Sequence, residues 1–112
     1  MKGDIVARSS GFDSGNLSDA AVHILLALTK PRHGYAVMQF LHDASHGHID
    51  IGPASLYTTL KKLTAASLIT EVDTDENRRI YHITAHGHEV LTANLERRRQ
   101  LIAMADSILE TS

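Results

Sequence analysis

The stretch "GPASLYTTLKKL", residues 52–63, decides the fold. Its leucines, Leu56, Leu60 and Leu63, recur at i, i+4 and i+7, the spacing of one buried helix face. Pro53 stands at the first turn, where a missing N–H does no harm. The opposite side carries Ser55, Thr58, Thr59 and Lys62 at i, i+3, i+4 and i+7, with Tyr57 and Lys61 on the same polar arc. All are hydrogen-bonding side chains, and no acidic residue occurs between Gly52 and Leu68. On spacing alone this is either an ordinary solvated face with two lysines or a surface made to meet an anionic partner.

Working outward, "NLSDAAVHILLALTKP" (16–31) reads as a first helix. Ser18 is its N-cap, Leu17 packs on Val22 as a hydrophobic staple, and Pro31 stops it. After the polar corner "KPRHG" a second helix runs from Tyr35 to about Ser45, with Val37, Met38 and Leu41 on its inner face. "HGHIDIG" breaks that helix. Beyond the quoted stretch come two extended runs, "LITEVD" (68–73) and "RRIYHI" (78–83), joined by the hairpin-length turn "TDEN". Thr84 caps a last helix reaching about Glu110, roughly 40 Å long at ~1.5 Å per residue. That is longer than the small domain beneath it requires. Two helices joined by a short turn and followed by a hairpin form the winged version of the helix-turn-helix. The expected class is therefore mainly α (α+β): a winged helix-turn-helix with a two-stranded wing and a long C-terminal helix. Residues 1–16 read as a flexible arm, 17–84 as the winged domain and 85–112 as a dimerisation helix.

Bulk properties narrow the function. At 112 residues the chain is one domain, or one domain with an appendage, with a modest core. With 4% aromatic residues and no Trp, that core must be built from Leu, Ile, Val and Ala, which favours helices. The net charge of −2 gives no global basic signal, so a nucleic-acid reading rests on local charge. The absence of cysteine excludes disulfides and thiolate chemistry. "MKGDIVARSS" has no signal-peptide core, and "ILLAL" (24–28) falls far short of the ~18 residues of a membrane span. A cytoplasmic protein with no membrane partner is expected. There is no phosphate-cradling glycine loop, no nucleophile elbow and no activated carboxylate pair, so the chain reads as a non-enzyme without a cofactor. His42 and His46 have an i, i+4 spacing compatible with a metal, and His86 and His88 form another close pair. With no cysteine and no convergent carboxylate, no metal site is expected.

In a winged helix-turn-helix the third helix lies in the DNA major groove. Ser55, Thr58, Thr59 and Lys62 would then face base edges and phosphates, with Tyr57 and Lys61 on the flanking backbone. Arg78 and Arg79, beside the wing tip, would grip phosphate or enter a minor groove; Lys30 and Arg32 are weaker phosphate candidates. The acids Glu71, Asp73, Asp75 and Glu76 balance the four basic residues between Gly52 and Ile83. Tyr35 and Tyr81 read as structural, their rings in the core. The arginines of "ERRRQ" (96–100) read as the solvated side of the last helix. Its apolar residues Leu95, Leu101, Ile102, Ala105, Ile108 and Leu109 read as the dimer face.

The chain resembles the PadR family of winged-helix transcriptional regulators over roughly Leu17 to Leu91. The carrying pieces are "ILLAL", "HGYAVMQFL", "SLYTTLKKL", "SLI" and "RRIYHITAHGHEVL", in order and at the expected distances. The short length and single C-terminal helix resemble the small subgroup of that family. Ala54, Thr58 and Ser67 depart from its usual Gly, Pro and Gly, so operator preference does not carry over, and a favoured helix C-cap is lost. The resemblance implies a homodimeric, sequence-specific regulator, usually a repressor, on a pseudo-palindromic operator in double-stranded DNA. It also implies a small aromatic or drug-like effector bound near the dimer interface. The alternative is a winged-helix protein-interaction module that does not bind DNA.

Overall fold

The computed structural model describes residues 15–75 and 78–111. Residues 1–14 of the expected arm and Glu76 and Asn77 of the expected turn lie outside the described residues. The elements run α1 (Asp19–Ala27), β1 (Arg32–His33), α2 (Gly34–Ala44), α3 (Pro53–Ala65), β2 (Ile69–Asp75), β3 (Arg78–Ile83) and α4 (Ala85–Glu110). The wing carries one more strand than the hairpin alone: the antiparallel order is β1-β3-β2, with Arg32 opposite Tyr81 and His33 opposite Ile80. A two-residue strand is too short to leave a period in the sequence. Between Glu71 and Asp73 the register of β2 slips, and Val72 stands exposed in the bulge.

The first helix is the hub of the core. Ser18 caps it by accepting from the Ala21 N–H, and Ala21, Ile24, Leu25, Ala27 and Leu28 are wholly buried. Around it pack Val37 and Leu41 of α2, the leucines Leu56, Leu60 and Leu63 of α3, and Leu91 of α4. Leu17 and Val22 are both buried, as a staple requires. The all-aliphatic core matches the aromatic-poor composition.

Two expectations about side chains fail. Tyr35 is 64% exposed; its ring stands on the surface, because Gly34, Val37 and Leu41 supply the buried face of α2 and Tyr35 lies off it. His42 and His46 do not share a helix face, since α2 ends at Ala44 and His46 has a positive φ of 55°.

The C-terminus of α3, the base of the wing and the start of α4 meet at one junction. Helix α3 closes with a Schellman motif: Ser67 N–H donates to the Thr64 carbonyl and Leu68 N–H to the Leu63 carbonyl, each at 3.0 Å. Ser67 takes the left-handed conformation this requires, with φ 62°. Thr84 then works in both directions. Its hydroxyl donates to the Ser67 carbonyl at 2.7 Å and accepts from the Gly87 N–H at 2.9 Å. Its backbone N–H donates to the Leu68 carbonyl at 3.0 Å. Gly87 presses against the same turn, so that a Cβ there would collide with the Leu68 carbonyl and come within 2.9 Å of Ile83 Cγ1.

A second junction holds the start of the described chain to α4 and was not foreseen. Asn94 is 3% exposed; its Oδ1 accepts from the Leu17 N–H at 2.9 Å, and its Nδ2 donates to the carbonyls of Gly15 and Val90 at 2.6 and 2.8 Å. Arg97 donates to the Gly15 carbonyl, and Arg98 to the Leu17 carbonyl and the Asp19 carboxylate. Of the three arginines read as a solvated face, Arg97 and Arg98 therefore hold this segment. Arg99 pairs with Glu96 on the exposed side of the helix.

Two stability changes follow. Ser67→Gly should raise stability by about 1 kcal/mol, because glycine accepts positive φ without a Cβ penalty; thermal unfolding should shift up by roughly 5 °C. Gly87→Ala would ordinarily favour a helix, but here it should cost about 2–3 kcal/mol, because the new methyl meets backbone that cannot yield. Denaturant titration of both variants checks the opposite signs.

Candidate nucleic-acid interface

Burial of Leu56, Leu60 and Leu63 fixes the rotation of α3, and with it what the helix shows to solvent. Ser55, Tyr57, Thr58, Lys61 and Lys62 are exposed, and Thr59 is half-buried. The helix has no acidic residue in its first turn and carries both lysines in its second half. The polar strip read from the sequence is thus continuous on the surface. Hydroxyls lie toward its N-terminal end and cations toward its C-terminal end.

Tyr57 leans from α3 toward α2. Its ring lies over Gly34, where a Cβ would stand 2.7 Å from the phenol oxygen and 3.0 Å from two ring carbons. The missing side chain at position 34 is what lets the ring settle there. Arg78 and Arg79 stand exposed at the start of β3 and, with Tyr57, line a cleft of about 340 Å³. Tyr35 and Tyr81 line it as well, and no acidic residue among those described does. Tyr57 of the helix and the arginines of the wing therefore share one cleft, while Lys61 and Lys62 are exposed elsewhere on α3. Arg79 is also 3.9 Å from the Glu71 carboxylate, a loose and exposed pair. Such a pair contributes at most ~1 kcal/mol and competes weakly with any better anion.

Arg32 is not available in the same way. Its guanidinium donates to the Ala27 carbonyl at 2.8 Å and stacks 4.0 Å from the centre of the Phe40 ring. It ties the corner between α1 and α2 together rather than reaching outward, while Lys30 is exposed. Sequence reasoning also missed Tyr35 as part of this surface. The signal lay in "HGY" itself, a tyrosine beside a glycine that makes room for another ring.

The residues read as a dimer face divide in two. Leu95 is half-buried against the chain's own core. Farther along α4, Leu101, Ile102, Ile108 and Leu109 are exposed, each by 57% or more, and Ala105 is half-buried. Among the described residues no group of three His, Asp or Glu side chains could hold a metal ion. No helix described is long and apolar enough to cross a membrane.

Comparison with known proteins gives this surface a context. Residues 23–93 match the model of the transcriptional regulator PadR-like family. A PadR family transcriptional regulator from Eggerthella lenta superposes with a TM-score of 0.73 at 26% identity, covering 97% of this chain and 96% of that one. A transcriptional regulator from Clostridium thermocellum superposes with a TM-score of 0.70 at 17% identity, covering 88% and 97%, and shows the shared fold. A curated relative, an uncharacterized 37.1 kDa protein in transposon TN4556 of Streptomyces fradiae, is 36% identical over 75 residues. That match takes in 66% of this chain but only 21% of the relative's length. Members of the matched family are non-enzymatic, DNA-binding regulators of transcription. With most of its winged core inside the family model and a full-length structural counterpart in the same family, the chain belongs to the PadR-like transcriptional regulators.

Proposed function

We propose that this chain is a cytoplasmic, sequence-specific repressor that binds a pseudo-palindromic operator in double-stranded DNA as a homodimer. The observation that carries the reading is the acid-free strip on α3, with Ser55, Tyr57, Thr58, Lys61 and Lys62 all turned outward. Small hydroxyls suit base edges and thymine methyls, and lysines suit phosphates or guanine. Arg78 and Arg79 add exposed cations on the wing, in the cleft that Tyr57 of α3 also lines. The distal half of α4 supports a dimer: Leu101, Ile102, Ile108 and Leu109 are each exposed by 57% or more, and clustered exposed apolar side chains favour a partner. Two copies joined along that helix would present two α3 helices to successive half-sites. Release by a small aromatic or drug-like effector is part of the same reading, by likeness to the family.

The direct test is fluorescence anisotropy with a duplex from the DNA upstream of this protein's own coding region, against a scrambled duplex. Lys61→Ala and Lys62→Ala should each weaken binding to every sequence and lower the log–log salt slope by about 0.9, one phosphate each. Equal, weak binding of parent and variants to both duplexes would instead favour a protein-interaction module. For the dimer, sedimentation at micromolar concentration should show two chains, and Leu101→Asp or Ile108→Asp should split them, because an unpaired buried charge is costly. A monomeric parent would remove the dimer from the reading.

A further inference from the structure

All three tyrosines of the chain line the cleft between α2, α3 and the wing, together with Arg78 and Arg79. The three come from different elements, so only the fold brings them together. Tyr35 is 64% and Tyr57 50% exposed. A large ring left that exposed contributes little to the core, and Gly34 keeps the space that lets the Tyr57 phenol reach this spot. Phenol hydroxyls and guanidinium groups share one complement: an oxyanion that accepts several hydrogen bonds and carries charge. Among the described lining residues there is no carboxylate, and Asp75 stands opposite Arg78 in the β2–β3 register.

We propose that this cleft seats one phosphate of the DNA backbone in each half-site, with Arg78 as the charge partner and Tyr35 as a hydrogen-bond donor not otherwise assigned to the surface. The proposal rests on the DNA-binding reading and adds a specific job within it. Tyr57 reaches the seat from α3, Arg78 from β3 and Tyr35 from α2, so one phosphate is held by all three elements. The seat fixes the wing relative to the recognition helix at the moment of binding. It positions the protein and carries no base preference of its own.

The test replaces backbone phosphates one at a time with neutral methylphosphonates in a bound duplex. One linkage per half-site should weaken the parent about tenfold when neutralised, as loss of a charge-assisted contact does. The same replacement should cost the Tyr35→Phe, Arg78→Gln double variant almost nothing. If neutralising every linkage affects parent and double variant alike, the seat is wrong while DNA binding stands. If the parent binds no duplex, the DNA-binding reading itself fails. A second readout uses the composition: all three tyrosines lie in the cleft, so 3-fluorotyrosine resonances report on it directly. Duplex should shift all three, and the shift should shrink in Arg78→Gln. Shifts with pyrophosphate but none with duplex would make the seat one for free phosphate compounds and overturn its assignment to the DNA backbone.

Discussion

The Leu68 carbonyl is the point on which the rest of the architecture turns. It accepts from Thr84, and Gly87 lies against it so closely that no side chain fits between. This one contact sets the end of α3, the root of the wing and the launch of α4. The proposed recognition surface depends on it because Tyr57 of α3 and the arginines of β3 line the same cleft, and their spacing is fixed where both elements are anchored. A second anchor shares the load: the Ile83 N–H donates to the Leu28 carbonyl at 2.8 Å, binding the root of β3 to the end of α1. The domain is small, so it holds its geometry through such backbone junctions as much as through apolar bulk.

Asn94 plays the corresponding part at the other end. A buried amide is costly unless its groups are paired, and both its oxygen and its nitrogen have partners. It joins the segment before α1 to the middle of α4, with Arg97 and Arg98 reinforcing the tie. The proximal turns of α4 are thus part of the winged domain's core, and only the distal turns project apolar residues outward. A second copy bound along those distal turns would have its position passed rigidly through α4 to the junction at Leu68, and from there to α3.

The sequence carried the element order clearly because the periodic signals were strong. The leucines of "SLYTTLKKL" set the rotation of α3, and hence which hydroxyls face outward. Ser18 and Thr84 marked two helix starts through their capping chemistry. What stayed hidden was long-range. Periodicity cannot show that Arg97 and Arg98 would find carbonyls near residue 15, or that Arg32 would turn inward to Ala27 and Phe40. Tyr35 was misplaced for a related reason. An aromatic residue opening a helix is more often buried, and only the shape of the α2–wing corner leaves it outside. Ser67 lay between these cases: its departure from glycine was legible, whereas its adoption of the left-handed turn regardless is a decision of the surrounding Schellman hydrogen bonds.

The net charge of −2 looks like an obstacle to binding a polyanion, but distance decides how much it matters. At physiological salt the Debye length is ~8 Å, so exposed charges on the far side of the molecule barely reach the interface. What counts is the patch within one such length of the contact. Helix α3 brings two lysines and no acid to it, and the wing brings two arginines together with Glu71, Asp73 and Asp75. Asp75 stands opposite Arg78 in the strand register, and Glu71 holds Arg79 only at 3.9 Å, with both side chains exposed. A phosphate that meets two arginines and phenol hydroxyls together has better geometry and more donors than one loose carboxylate. On the proposed reading, the exchange of partners at Arg79 would run toward the phosphate, and a chain that is acidic overall would still present cations at the contact.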